Sequence, residues 1–446
     1  MSNKSKTVKA DKTTAQGLVP KLRFPEFQDA GTWEEKPLGK VYSFKVTNSF
    51  SRDKLNYEKG SVKNIHYGDI HTKFSILFDI RKEIVPFINS SEAIGKIKSD
   101  NYCIEGDMVF ADASEDLNDV GKSIEIVNLN NEKLLSGLHT LLARQKKSEL
   151  VIGFGGYLFK SNGIRAGIKK EAQGAKVLGV SATRLSNINI YFPTDKKEQQ
   201  KIADCLSSID ELINGQAQKI DTLKAHKKGL MQQLFPAEGE TVPKLRFPEF
   251  RDAVAWKGKP LGKVAKIITG NTPKTAESNN YGGNRLFVSP ADISDQRYIS
   301  TTKTTLSDQG FEKTRPIKAK SILFVCIGST IGKVAQNKFE CATNQQINSV
   351  VPFNEYSNDF IYSFLEKNSG QIAVMAGKQA VPIINKTLFS SVIFSYPSLP
   401  EQQKIADCLS SIDELLAAQA QKLDTLKTHK KGLMQQLFPS TDEVNG

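Results

Sequence analysis

Two segments of this 446-residue chain occur twice, and what lies between the copies does not. VPKLRFPEFQDAGTWEEKPLGKV at 19–41 returns as VPKLRFPEFRDAVAWKGKPLGKV at 242–264, identical at 18 of 23 positions. The 39 residues at 198–236 return at 401–439, identical at 34 of them. Between each pair lie about 155 residues in the first half and about 135 in the second, and these inserts have diverged almost completely. A duplicated frame with two different inserts points to one architecture holding two different recognition surfaces.

The longer copy, EQQKIADCLSSIDELINGQAQKIDTLKAHKKGLMQQLFP, has no proline before its end, and its apolar residues recur at alternating spacings of three and four. That is the seven-residue period of a coiled-coil seam. Leu206, Ile209, Ile213, Ile220, Leu223, Leu230 and Leu234 fill the a and d positions of the first copy. Leu409, Ile412, Leu416, Leu423, Leu426, Leu433 and Leu437 fill those of the second. The polar interruptions coincide: Gln216 with Gln419, and Lys227 with Lys430. Pro400 suits a first helical turn, and Phe-Pro at 235–236 and 438–439 marks the exits. At about 1.5 Å per residue each helix spans about 58 Å. The simplest partner for each is the other, and the large insert between them allows an antiparallel pair. Aligned ends set Gln216 opposite Gln419, a polar pair that would fix register.

Both inserts alternate short apolar runs with Gly, Asn and Asp punctuation, the pattern of strands. The first offers VKNIHY, FSILFDI, YCIEGDMVFA, SIEIVNL and NINIYF; the second offers RLFVSPADI, SILFVCI, KVAQN, INSVVPF and VIFSYP. A helical stretch, NDFIYSFLEKNSG at 358–370, intervenes. Faint kinship survives in Asp69-Ile70 with Asp292-Ile293, and in Gly121-Lys122 with Gly332-Lys333. The expected class is α+β: two mixed α/β domains separated by two long helices that form an antiparallel coiled coil, with a pseudo-twofold internal repeat. The expected boundaries are a flexible basic arm at 1–18, domains at 19–196 and 237–399, helices at 197–236 and 400–439, and a tail at 440–446.

The chain carries 61 Lys and Arg against 48 Asp and Glu, a net charge of +13, which suits phosphates or acidic membrane surfaces as partners. No apolar run approaches the roughly 18 residues of a membrane span. The lysine-rich start does not read as a signal peptide. Five cysteines, an odd number without CxxC spacing, argue against a disulfide framework and a structural zinc, and for a reducing compartment. GSTIGK at 328–333 has three residues between its glycines and no Ser or Thr after the lysine, so it is no Walker A loop. VIGFGGY at 151–157 lacks GxGxxG spacing. GxSxG, HExxH, a deaminase zinc signature and an Asn/Asp-Pro-Pro-aromatic stretch are absent. The five histidines are scattered along the chain. No covalent chemistry is expected.

The arrangement resembles the specificity subunits of type I restriction-modification systems. The resemblance covers nearly the whole chain and is carried by KLRFPEF…W…LGKV in both copies, by P…EQQKIA entering each helix, and by FVSPADI, GSTIGKVA and NQQINSVVPF in the second insert. The first insert departs from that pattern, with GDMVFADASEDLNDVGKSIEI in place of the compact form. The resemblance implies a non-catalytic, cytoplasmic reader of double-stranded DNA. Each insert, a target-recognition domain, would read one half of a bipartite asymmetric site, and the coiled coil would set the gap. Two methyltransferase subunits would dock on the frame, and restriction subunits with a motor and nuclease could join. S-adenosylmethionine, ATP and Mg would sit on those partners and no cofactor on this chain.

Cations in turn-rich segments are the candidate DNA contacts. In the first domain they are Lys63, Lys73, Lys122, Arg165, Lys169 and Arg184; in the second, Arg285, Lys303, Lys333, Lys378, Gln379 and Lys386. Two other classes compete: a protein-interaction scaffold that binds no DNA, which the basic charge disfavours, and a stand-alone nuclease.

Overall fold

A computed structural model describes residues 18–377 and 381–439. The described residues fall into two compact units, 18–214 with 425–439, and 215–424. Each unit therefore takes its own recognition domain, part of one long helix, and part of the other.

The same five-stranded sheet is built twice. In the first unit its order is Tyr42–Lys45, Thr140–Gln145, Met108–Ala111, Ser123–Asn128, Leu77–Asp79. In the second it is Ala265–Thr269, Ile347–Pro352, Ile322–Val325, Val334–Asn337, Tyr298–Ile299. In both, the last pairing is parallel and the rest antiparallel. The strands Met108–Ala111 and Ile322–Val325 are buried at every residue. Side chains alternate across a strand, so Met108 and Phe110 enter one core while Val109 and Ala111 enter another. Ile322 and Phe324 part from Leu323 and Val325 in the same way. Cores on both faces explain why these strands read as unbroken apolar runs.

Each of the ten apolar runs contains a strand, and the helix Asn358–Val374 begins at Ser357, whose side chain accepts from the Phe360 N–H. Each domain also has a smaller sheet that contains a parallel pair: Leu134–Ser136 beside Lys63–Ile65, and Cys341–Thr343 beside part of Tyr281–Val288.

The duplicated 39-residue segments lie in two long helices, Lys196–Leu234 and Leu399–Leu437. Within the second unit Gln216 Nε2 donates to Gln419 Oε1 at 2.8 Å and to the Gln419 carbonyl at 3.0 Å. Lys227 pairs with Asp413 at 2.5 Å. Residue numbers rise on one helix as they fall on the other, so the helices meet antiparallel, with the two glutamines opposed as their places in the repeat suggest. Within the first unit the equivalent pair is Lys430 with Asp210, also at 2.5 Å. The lysines that break the apolar pattern are thus explained: an ammonium in a largely buried position needs a carboxylate. Of the apolar seam residues, Leu206, Ile209, Leu234, Leu409 and Leu437 are buried. Ile213, Ile220, Leu223, Leu230, Ile412, Leu416, Leu423, Leu426 and Leu433 are half-buried.

The 23-residue repeat is a clasp. Arg23 grips Glu198 through two bonds of 2.8 and 2.7 Å, and the Trp33 indole N–H points at the same carboxylate at 3.4 Å. Arg246, Glu401 and Trp256 reproduce all three distances. Each clasp also reaches the far end of the opposite long helix. Leu22 N–H donates to the Gln436 carbonyl at 3.0 Å, and Leu245 N–H to that of Gln233 at 2.9 Å. The Phe-Pro exits finish the cores: Phe438 meets Trp33 edge-on at 5.9 Å, and Phe235 meets Trp256 at 5.7 Å.

The glycines of VIGFGGY have a structural purpose. The N–H groups of Gly153 and Gly156 donate to the buried Glu125 carboxylate at 3.0 and 2.6 Å. A Cβ on Gly156 would meet Leu77 at 2.8 Å. Burial lifts the Glu125 carboxyl to about 7, against the opposing pull of those two N–H groups. A folded-state value above the unfolded one means stability is fully present below about 4.5 and lost as pH rises through about 7. The first unit should therefore lose on the order of 3 kcal/mol across that window from this group. Denaturant unfolding at pH 4.5 and 7.5 checks this: Glu125→Gln should flatten the slope, and an unchanged slope would refute the assignment.

Candidate nucleic-acid interface

The structure sorts the candidate contacts by what already holds them. Three are tied to main-chain carbonyls inside their own domain. Arg165 donates to the carbonyls of Asn118, Val120 and Gly121 at 2.8 to 3.0 Å. Lys122 donates to that of His71 at 2.6 Å, and Lys333 to that of Ile293 at 3.0 Å. The last two are equivalent, since each fastens a Gly-Lys turn to an Asp-Ile segment. These three brace turns of their own domains: turns leave carbonyls in need of donors, and nearby cations supply them.

Others hold carboxylates. Lys63 pairs with Glu132 at 2.7 Å, Lys73 with Asp69 at 2.9 Å, Arg184 with Glu171 at 3.4 Å and Arg285 with Asp308 at 2.7 Å. Lys169 donates to the Asn118 side chain at 2.8 Å. Lys303 and Lys386 are exposed. Lys378 and Gln379 lie outside the described residues.

The fold also gathers residues that are distant in sequence. The parallel pairing of Leu134–Ser136 with Lys63–Ile65 brings His139 to the start of the helix Tyr67–Thr72. The ring of Tyr67 then lies 4.7 Å from that of His66, 5.3 Å from that of His139 and 6.1 Å from that of His71. Three histidines that look scattered in sequence are neighbours. Beside them Arg52 grips Asp69 in a bidentate pair at 2.8 and 3.0 Å and touches His66 Nδ1 at 3.2 Å. Burial pushes Asp69 up, but the Arg52 and Lys73 donors outweigh it, so its carboxyl sits below the usual range. Burial and the Arg52 charge lower His66, whose Nδ1 accepts from the Gly68 N–H at 3.1 Å. The exposed Tyr57 hydroxyl accepts from Arg52 at 3.1 Å and from Lys73 at 3.3 Å. Cations, aromatic rings and imidazoles side by side form a surface suited to phosphates and base edges. Among the described residues no group of His, Cys, Asp or Glu could hold a metal ion, and no helix is long and apolar enough to cross a membrane.

The second unit braces its domain differently. Arg297 is almost fully buried, reaching Gln336 at 3.0 Å, Ser410 at 2.7 Å, Asp413 at 3.2 Å and Asp359. Its guanidinium lies 4.4 Å from the Tyr362 ring and 4.9 Å from that of Tyr298. This joint between the domain and its long helix was not singled out in the sequence, where Arg297 is one cation in a turn among many.

Two divergent domains of one topology, each clasped by the same repeated segments, define a two-headed recognition scaffold. The family model for the type I restriction modification DNA specificity domain matches residues 31–225 and 253–428, and the chain belongs to that family. It is 25% identical over 439 residues to a candidate specificity subunit of the type I restriction enzyme MjaX from Methanocaldococcus jannaschii, covering 96% of this chain and 95% of that one. It is 33% identical over 148 residues to the HindI specificity subunit of Haemophilus influenzae, 32% of each chain. Among solved structures, the S subunit of a type I restriction-modification system from M. genitalium superposes with a TM-score of 0.61 at 16% identity, covering 95% of this chain and all of that one. A chain from a study of assembly and conformational transition in the type I system gives 0.54 at 17% identity, covering 91% of this chain and 97% of that one.

Proposed function

We propose that this chain is the DNA-reading subunit of a type I restriction-modification complex and leaves the chemistry to its partners. Each target-recognition domain reads one half of a bipartite, asymmetric site. Two unlike reading heads on one chain recognise two unrelated half-sites, where a homodimer would require a palindrome. The long helices, paired as an antiparallel coiled coil, set the spacer between halves. The twice-repeated frame receives two copies of an adenine methyltransferase, which brings S-adenosylmethionine. Restriction subunits using ATP and Mg join the same assembly in the cytoplasm.

The observation that carries this reading is the doubled clasp. Arg23, Trp33 and Glu198 match Arg246, Trp256 and Glu401 in every distance, while the domains between them differ. A frame that repeats itself suits two identical partners, and inserts that differ suit two different sequences. The excess of positive charge supplies the sequence-independent attraction to phosphates.

The test is to map methylated adenines across the genome of a host given this chain with its methyltransferase. The expected result is one asymmetric motif of two short halves separated by a fixed gap. A palindromic motif, or methylation without a motif, would count against the reading.

A further inference from the structure

Three parts of the second unit meet at Asp413 of the second long helix. Lys227 of the first long helix pairs with it at 2.5 Å, and Arg297 of the recognition domain reaches it at 3.2 Å. Arg297 also donates to Ser410 Oγ, one turn earlier on the same helix, at 2.7 Å. At its domain end the guanidinium donates to Gln336 Oε1 at 3.0 Å and to Asp359, and faces the Tyr362 ring. A planar, permanently charged fork held on so many sides has one orientation. Arg297 directly precedes Tyr298–Ile299, the outermost strand of the five-stranded sheet, so whatever holds Arg297 holds that edge of the sheet.

The packing nearby gives this brace something to resist. At the base of the domain Phe360, Ile361 and Leu365 share one apolar core with Leu234, Ile405 and Leu409 of the long helices. At the sheet edge a cleft of about 480 Å³ opens instead, lined by Tyr298 on the domain and by Ile220, Leu416, Ala417 and Ala420 on the helices. Dispersion contacts are lost across such a gap, so apolar packing does not fasten this edge. Lys224 pairs with Asp295 here at 3.0 Å, but both side chains are half exposed or more, and such pairs add little.

The first unit is joined differently. Tyr298 pairs with Gln336 and Gln336 with Ile322; Leu77 pairs with Glu125 and Glu125 with Met108. Ile322 and Met108 open the two fully buried strands, so Tyr298 and Leu77 are equivalent. One residue earlier, Ile76 holds the place of Arg297. Asp210, the repeat of Asp413, takes the Tyr157 hydroxyl at 2.8 Å and Lys430 at 2.5 Å, and an isoleucine can offer it nothing. The helices repeat, but the second insert brings its own fastening to them.

We infer that Arg297 is a positioning residue: by fixing the sheet edge of the second domain to the long helices, it sets the angle at which that domain meets DNA and how strictly the complex measures the gap between half-sites. The inference rests on the DNA-reading function proposed above. It adds that a rod alone fixes no distance if the head on it can tilt. A spacer one base pair longer moves a half-site by about 3.4 Å along the duplex axis. A tilting domain can follow that movement, and a braced one cannot.

The test uses the chain assembled with its methyltransferase subunits. One duplex pool keeps both half-sites and varies the spacer; a second keeps the spacer and randomises the half-sites. Arg297→Met removes the fork and leaves Asp413 its Lys227 partner. Ser410→Ala removes one bond of the brace and leaves its charges intact. The unaltered complex should disfavour a spacer one base pair too long by about 10-fold or more, and Arg297→Met should cut that margin to about 3-fold or less. Base selectivity in both halves should stay as it was. Ser410→Ala should shift the margin the same way by less, and it decides the outcome if Arg297→Met does not assemble. An unchanged margin overturns the inference, whether binding weakens evenly, as for a purely structural residue, or base selectivity relaxes in the second half-site, as for a support of the reading surface. If the unaltered complex selects no bipartite site, the proposed function falls. If it selects one but tolerates any spacer, only this inference does.

Discussion

Exchanging residues 42–196 for the corresponding insert of another family member replaces one half of the recognised site and leaves the other half and the spacing intact. The affinity for the original half-site should fall about 10³-fold or more, the usual margin between specific and non-specific binding. The physical ground is that each unit packs its own sheets and cores, while the clasp and long helix that frame it are common to both. Mapping methylated adenines for the hybrid reads the outcome directly. If both halves of the motif changed, the modular reading would fail.

The second large effect is on stability. Glu198→Ala strands the Arg23 guanidinium and the Trp33 N–H inside the first clasp, where the side chains of Arg23 and Glu198 are only 8% and 1% exposed. Breaking one side of a buried ion pair costs about 3–5 kcal/mol. Glu401→Ala should cost the second unit a similar amount, because Arg246 and Glu401 are exposed only 7% and 1%. Hydrogen exchange resolved by unit would measure the two separately. Adding Arg23→Ala to Glu198→Ala should cost less than the two single losses together, since both remove one interaction. Losses below about 1 kcal/mol would show the clasp to be dispensable.

The frame was legible in the sequence because the duplication exposes it. Repetition marks the helices and their polar interruptions, and antiparallel alignment alone opposes Gln216 to Gln419. The strands were legible because burial on both faces leaves runs such as MVFA and ILFV. The side-chain partners were not. Arg165, Lys122 and Lys333 lie in turn-rich segments, and each donates to a carbonyl of its own domain. A sequence shows where a cation lies but not which carbonyl faces it. His139 becomes a neighbour of Tyr67 only through a parallel strand pairing, which leaves no local periodicity to find.

The clasp also imposes an order on synthesis. Trp33 and Phe154 leave the ribosome early, yet the aromatic ring that completes their core is Phe438. At about 5–20 residues per second, roughly twenty seconds to over a minute passes before that ring exists. Phe235, its counterpart in the second unit, is made before Trp256 and Phe360 and is waiting when they arrive. The half of the protein translated first is therefore the half that finishes last, and it must keep an unfilled apolar socket from other chains until the final helix is delivered.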